Sequence, residues 1–475
     1  MDTAGSVPAE PCAANIRTSG EVETEMSVRE PLSQRESEPL RSQRGSVSRR
    51  RLLQGAAAGV GSLTLAGGLG QLLAACGGAP SPSSAGQTVG RNTTGSITVW
   101  HYSSANDLKA VQDYTALFQK KYPKVTVKLQ YVEFSETPKR AIAAAAAKSG
   151  PDVFIYGGNE VNAMYKAGTF RSIDSLWSNY ADKHQFPDGV ITRFNNKVYG
   201  VKGYVNLTGL WYNKDILDQV GVQPPKTFDE VTQVFAKVAA SSKKYVPIAL
   251  TGQPTDQGDW TAWPWLSGYG FTYPNPDQNA IQSTFNLVNE WARKGYLPKE
   301  AVQWGQAETF TRFAVGDVAF MENGNWNIGP AQRNIGGKFR YGTAQLPTGP
   351  RHSGLFLGGE AVWMGAFTRV PELAWAYMKE TLLSKPGLLI TLKESGTIPA
   401  RADMANLPEV TSNTALQPYI AAVKARGSEY PPQGGRAIAA QAVVAQNWSA
   451  VIAGQKSPAQ AATDTASGVR ANFHP

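Results

Sequence analysis

The residues in this chain best suited to chemistry are hydrogen-bonding groups set beside aromatic rings. Tyr156-Gly157-Gly158-Asn159-Glu160 offers a phenol, an amide and a carboxylate in one short run. Asp259-Trp260-Thr261-Ala262-Trp263-Pro264-Trp265 follows a carboxylate with indoles, and Glu322 and Asn323 stand just before Trp326. Carboxylates and amides make directional hydrogen bonds to hydroxyls, while a ring face covers C–H surface. Together they suit the non-covalent holding of a hydroxyl-rich small molecule. Gly358-Gly359-Glu360 adds close backbone approach and a further acceptor, and Ser103, Ser104 and Arg401 add donors. Each has a plainer reading. The first run can be a turn with a solvated glutamate, the glycine pair a strand-edge turn, and some of the tryptophans interior packing.

Groups for bond-breaking chemistry are few. The four histidines, His101, His184, His352 and His474, share no metal-ligand spacing. No nucleophile elbow, phosphate loop or dinucleotide-binding glycine fingerprint follows residue 75. Glu160 and Glu360 can in principle pair as acid and base of a glycan hydrolase, which stands as the enzymatic alternative. The expectation is binding without catalysis, metal or cofactor.

The elements that must position these groups read as alternating strands and helices. Ile97-Thr98-Val99-Trp100 is a short strand, and Asp107 to Lys121 carries apolar residues at helical spacing in Leu108, Val111, Tyr114, Leu117 and Phe118. A strand over 125–132, an Ala-rich helix over 141–148 and a strand over 151–156 complete a βαβαβ order. That order predicts a mostly parallel sheet with ligands at the carboxyl ends of its strands. Residues 199–212 read as extended, and Thr227 reads as the cap of a helix through Glu230. Helices near 282–294, 308–315 and 371–383, strands near 318–321 and 339–346, and a helical C-terminal stretch over 437–472 follow.

The N-terminal segment reads as a targeting device. Ser48-Arg49-Arg50-Arg51-Leu52-Leu53-Gln54 resembles the twin-arginine export motif, and the glycine-broken apolar run after it suits a signal peptide better than a membrane span. The run ends in Leu73-Ala74-Ala75-Cys76, which is similar to the lipobox of bacterial lipoproteins and makes Cys76 the expected lipidation site. Residues 1–75 then form a removable leader and 76–95 a Gly/Ser/Pro-rich tether. Bases and acids balance in the leader, so the net charge of +9 belongs to residue 76 onward. It is spread along the chain, which argues against nucleic acid. Loss of Cys12 with the leader leaves no second cysteine for a disulfide.

The order of segments resembles the family 1 extracellular solute-binding proteins of ABC importers, the class that includes maltose-binding protein. The resemblance runs from about residue 96 to 465. It rests on Phe118-Gln119-Lys120-Lys121-Tyr122-Pro123, Pro151-Asp152-Val153, Leu210-Trp211-Tyr212-Asn213-Lys214-Asp215, Phe313 to Met321 with Asn323-Gly324-Asn325-Trp326, Gly358-Gly359 and Gly396 to Arg401. It implies a periplasmic-binding-protein-like α/β fold with two lobes, a hinge and a ligand cleft between them. Lobe one would hold 96–205 and 341–385, and lobe two 206–340 and 386–475. By position it places Tyr156, Asn159 and Glu160 on a loop that binds sugar hydroxyls, Asn206 on the first crossing and Trp326 against the ligand. The implied role is a monomeric, extracytoplasmic, membrane-anchored protein that delivers a sugar or similar small polar ligand to ABC importer membrane subunits. A sensor partner of a membrane receptor is the binding alternative.

Overall fold

The computed structural model describes residues 89–103, 107–158, 160–351, 353–426 and 437–473. The leader, the export motif, Cys76, most of the tether, Ser104 and Asn159 lie outside the described residues.

Thirteen strands organise the described chain. In order they are β1 (Gly95–His101), β2 (Val125–Tyr131), β3 (Val153–Tyr156), β4 (Phe170–Arg171), β5 (Ile191–Phe194), β6 (Lys197–Lys202), β7 (Tyr204–Val205), β8 (Thr208–Asn213), β9 (Val246–Ala249), β10 (Val318–Gly324), β11 (Tyr341–Ala344), β12 (Ala361–Gly365) and β13 (Ile398–Pro399). The first lobe is built on the sheet β2-β1-β3-β12-β6-β5, with β4 paired to β12. The second lobe is built on β11-β8-β10-β9.

Side-chain spacing explains how the first sheet is covered. Ile97 and Val99 alternate inward from β1, and Val111, Tyr114 and Phe118 meet them from one stripe of the helix Leu108–Lys121. Burial of each such side chain contributes roughly 1.5–3 kcal/mol. Phe154, Tyr156 and Trp363 form a second core on the opposite face. The sheet is parallel only over β2-β1-β3, because β12 returns from the second lobe and runs antiparallel to both β3 and β6. The mostly parallel sheet expected from the βαβαβ order is therefore mixed.

The second sheet is buried on both faces. The helices Asp256–Gly268, Gln278–Arg293, Ala437–Ile452 and Pro458–Asn472 join one core, and Phe310, Phe313 and Ile328 join the other. Thr227 does cap its helix: its Oγ accepts from Glu230 N at 3.3 Å, and Glu230 Oε2 accepts from Lys226 N at 2.6 Å.

Three segments cross between the lobes side by side. β7 pairs antiparallel with β13, and Asn206 pairs with Gly358 through Gly358 N donating to Asn206 O at 2.8 Å. Ala400 N donates to Gly203 O at 2.9 Å, and Gly203 N to Glu360 O at 3.2 Å. The helix Lys385–Ser395 touches both lobes, with Ile390 against the first core and Leu389 and Leu392 against the second.

One boundary needs correction. Residues 341–357, expected in lobe one, belong to lobe two: β11 pairs with β8, and Leu346 and Phe356 lie in the second lobe's core. The return crossing falls at Gly358 instead. An apolar strand does not announce which sheet it will join, and only pairing decides that.

Candidate ligand-binding cleft

The ends of β1, β2 and β3 converge on a cleft of ≈ 440 Å³ between the lobes. Tyr102 and Ser103 follow β1, Tyr131, Glu133 and Phe134 end or follow β2, and Gly157 follows β3. These are the carboxyl ends of the parallel strands, where the helix-linked sheet leaves a crevice. The crossings add Tyr204, Asn206 and Gly358-Gly359-Glu360. The second lobe adds Gln253, Gln257, Trp260, Gln306, Glu308 and Trp326, with Asn327 and Phe356 beside them. Thr391, Ser395 and Thr397 come from the end of the helix that touches both lobes and the turn after it.

Aromatic rings run across the cleft without a break. Trp260 stacks on Phe356 with centroids 4.9 Å apart and planes at 8°. Phe134, from the other lobe, meets Trp260 edge-on at 5.4 Å. Phe134 in turn stacks on Tyr156 at 4.9 Å, and Tyr102 meets Phe134 edge-on at 4.8 Å. Such rings present flat apolar faces that a sugar's C–H surface can cover.

The polar lining is acidic and amide-rich. Asp107, Glu133, Glu308 and Glu360 line the cleft, whereas no Lys, Arg or His does among the described residues. Glu133 Oε2 accepts from Glu136 N at 3.0 Å and from Ser135 Oγ at 2.6 Å, and Glu308 Oε2 accepts from Gly305 N at 3.0 Å. Glu360 is 8% exposed, and its Oε2 is buried without a partner. Burial pushes the Glu360 carboxyl up to about 8. Burial also lifts Asp107 to about 6, against the hydrogen bond from Ser395 and the nearby charge of Arg333. Asp256, at the start of the helix carrying Trp260, rises to about 7 through burial and then through the charge of Glu160. Asp107 Oδ1, Trp260 Nε1 and Gln306 Nε2 are further buried polar atoms in the wall without a partner. Among the described residues no group of His, Cys, Asp and Glu is placed to hold a metal ion.

Of the expected residues, Ser103, Asn206, Trp260, Trp326, Gly359 and Glu360 meet in this cleft. Tyr156 and Glu160 stand behind it: Tyr156 is fully buried, and its hydroxyl donates to Glu160 Oε2 at 2.6 Å. Five expectations are corrected. Asp259 and Trp263 lie four apart on a helix, so they share one face, and that face turns inward onto Tyr273. Tyr273 donates its hydroxyl to Asp259 and stacks on Trp263. Glu322 and Asn323 sit on β10, whose every residue is buried. Glu322 Oε2 accepts from Trp265 Nε1 at 2.7 Å, and Asn323 Nδ2 donates to Gln306 O at 2.8 Å. Arg401 is 3% exposed and donates to Asp182, Asp403 and Leu383 O, which makes it a tie within the fold. Its hydrogen bonds hold Asp403 down at about 2.

The reading of the sequence missed Tyr102, Tyr131, Glu133, Phe134, the glutamines and Phe356. Tyr131-Val132-Glu133-Phe134 had a usable signal, since it directly follows a strand of a parallel unit. Phe356 had none, because its placement depends on the corrected crossing.

Two α/β lobes joined by three strand crossings around a cleft of rings and carboxylates define a two-lobe ligand-trapping protein of the periplasmic-binding-protein class. Residues 113–418 match the model of the bacterial extracellular solute-binding proteins, and the chain belongs to that family. It is 24% identical over 368 residues to the galactooligosaccharide-binding protein of Bacillus subtilis, covering 73% of this chain and 81% of that protein. It is 23% identical to the maltotriose-binding protein of Pyrococcus abyssi, covering 70% of this chain and 72% of the relative. Among solved structures, the GacH receptor of Streptomyces glaucescens, crystallised unliganded and with acarbose, superposes with a TM-score of 0.72 at 23% identity. The match covers 80% of this chain and 98% of the receptor. A solute-binding protein of Thermotoga lettingae bound with α-D-tagatose gives 0.71 at 19% identity, covering 80% and 99%.

Proposed function

We propose that the protein traps a sugar or short oligosaccharide between its lobes and presents it to the membrane subunits of an ABC importer. The observation that carries this reading is the stacked pair Trp260 and Phe356, facing hydrogen-bonding side chains of the opposite lobe across one cleft. The sugar names carried by the two relatives support the same ligand class. Ligand bridging both lobes stabilises the closed arrangement by whatever contacts it gains there over the open one. Binding leaves the ligand chemically unchanged.

The same proposal covers export and anchoring. The twin-arginine run at 48–54 sends the chain out of the cytoplasm, and cleavage before Cys76 leaves a lipid-bearing N-terminus on a tether. Cys76→Ala should abolish incorporation of labelled palmitate and release the protein from the membrane fraction; a variant that stays lipidated overturns the anchoring.

A thermal-shift screen with neutral, amino and acetamido sugars, as mono- and oligosaccharides, tests the ligand class. At least one should raise the melting temperature by several degrees, and a flat profile across the panel overturns the reading. For that ligand, Trp326→Ala should weaken calorimetric affinity about tenfold, or roughly 1.4 kcal/mol, while the variant stays folded. Unchanged affinity removes Trp326 from the ligand's contacts.

A further inference from the structure

The charge of the cleft goes beyond what a neutral sugar requires. Four carboxylates, Asp107, Glu133, Glu308 and Glu360, line it with no cationic side chain among the described residues. The chain as a whole has the opposite sign, at +9. Two of the four already hold donors from the protein: Glu133 from Glu136 N and Ser135, Glu308 from Gly305 N. Glu360 differs. It lies on the crossing itself, is 8% exposed, and its Oε2 is buried without a partner; Asp107 Oδ1 is likewise buried without a partner, but that carboxyl already has the hydrogen bond from Ser395. A buried acceptor of this kind costs free energy until a donor arrives, and the open cleft is the side from which one can come.

A hydroxyl would supply a donor but no counter-charge. It would leave carboxylates of both lobes, Glu133 from the first and Glu308 from the second, drawn together as the cleft closes and water leaves. A protonated amine supplies the donor and the counter-charge at once, and the hydrogen bonds it makes to a carboxylate are of the stronger, charge-assisted kind. Burial holds Glu360 mostly protonated at neutral pH in the ligand-free cleft, so an arriving ammonium would ionise it as it binds.

We infer that the ligand carries a protonated amine, as an amino sugar or an oligosaccharide containing one, and that Glu360 is its anchor. This rests on the sugar-binding reading and narrows it.

Calorimetry on the purified protein at neutral pH decides the matter with matched triples: glucosamine, N-acetylglucosamine and glucose, and the galactose series, each as monosaccharide and as β-1,4-linked disaccharide. In at least one triple the free amine should bind at least tenfold more tightly than both its acetylated and its hydroxyl counterparts. Glu360→Gln should shrink that preference to less than threefold, because the amide keeps the volume and an acceptor but not the charge. Acetylated or hydroxyl sugars binding as well as the amine overturn the inference and leave the sugar reading in place. Failure of every sugar in the panel overturns both. A tenfold amine preference that survives Glu360→Gln in a variant with native circular dichroism overturns the assignment to Glu360. The wild-type comparison stands without any variant, so a Glu360→Gln chain that fails to fold leaves the test of the amine intact.

Discussion

Gly359→Ala should cost at least about 3 kcal/mol of folding stability and abolish measurable ligand affinity. Gly359 has φ +125°, a region an L side chain rarely adopts, and a Cβ there would fall 2.2 Å from Tyr204 O and 2.8 Å from Val205 Cα. Both atoms belong to the first crossing, so the methyl would push apart two of the three segments that join the lobes. Gly168 and Gly454 provide the controls. Their φ values are +74° and +71°, but nothing stands within 4 Å of an added Cβ. Gly168→Ala and Gly454→Ala should each lose only about 1 kcal/mol, the expense of the left-handed backbone alone. Urea unfolding compares the three, and equal losses would show that crowding at the crossing contributes nothing.

Glu322 sets the second large effect, on the dependence of stability on pH. Its carboxyl is fully buried, has one hydrogen bond from Trp265 and one oxygen without a partner, and burial lifts it from 4.5 to about 8. The folded state therefore keeps a proton that the unfolded chain releases above pH 4.5. Below that value both states are protonated and the full stability is present. As pH rises towards 8 the unfolded state binds fewer protons, and stability falls by on the order of 4 kcal/mol for this group. Glu360, Asp256 and Asp107 shift in the same direction, so wild type should weaken steeply between pH 5 and 8. Glu322→Gln, which keeps the acceptor for Trp265 without an ionisable proton, should flatten the slope by about a quarter. Parallel stability profiles for wild type and variant would rule this out.

Glu322 also shows why the site was only partly legible. A carboxylate directly before an Asn-Gly-Asn-Trp run looks the same in sequence whether it points at solvent, at ligand or into a core. What decided it was that β10 lies between β8 and β9 and is covered on both faces, a fact of sheet order. Local signals fared better. Val111, Tyr114 and Phe118 marked their helix by spacing, and Thr227 with Glu230 marked a helix start through a cap that needs no tertiary partner. Trp260 and Trp263 divide the two cases within one helix. Rings three residues apart are neighbours on a helix, yet one packs at the cleft and the other on Tyr273, a division set by the surrounding packing and not by the spacing. Gly359 and Glu360 were legible because a glycine pair before a carboxylate marks a place where the backbone can approach a ligand closely. Phe134 and Phe356, which complete the aromatic run, were hidden because one follows a polar strand end and the other sits on a strand-to-crossing stretch assigned to the wrong lobe.

The interleaving of the lobes governs how the molecule can be assembled. β12 lies between β3 and β6 in the first sheet, yet it is made only after the entire sheet of the second lobe. The second lobe is no more self-sufficient, since Trp448 of the helix Ala437–Ile452 donates to Thr251 O at 3.0 Å inside its core. A nascent chain halted at residue 360 thus holds a first sheet without its inner strand β12 and a second sheet without two of the helices that cover it, rather than one finished half. No single cut releases a working piece, and folding must await almost the last turn of helix, with the long-range pairings that slow such topologies.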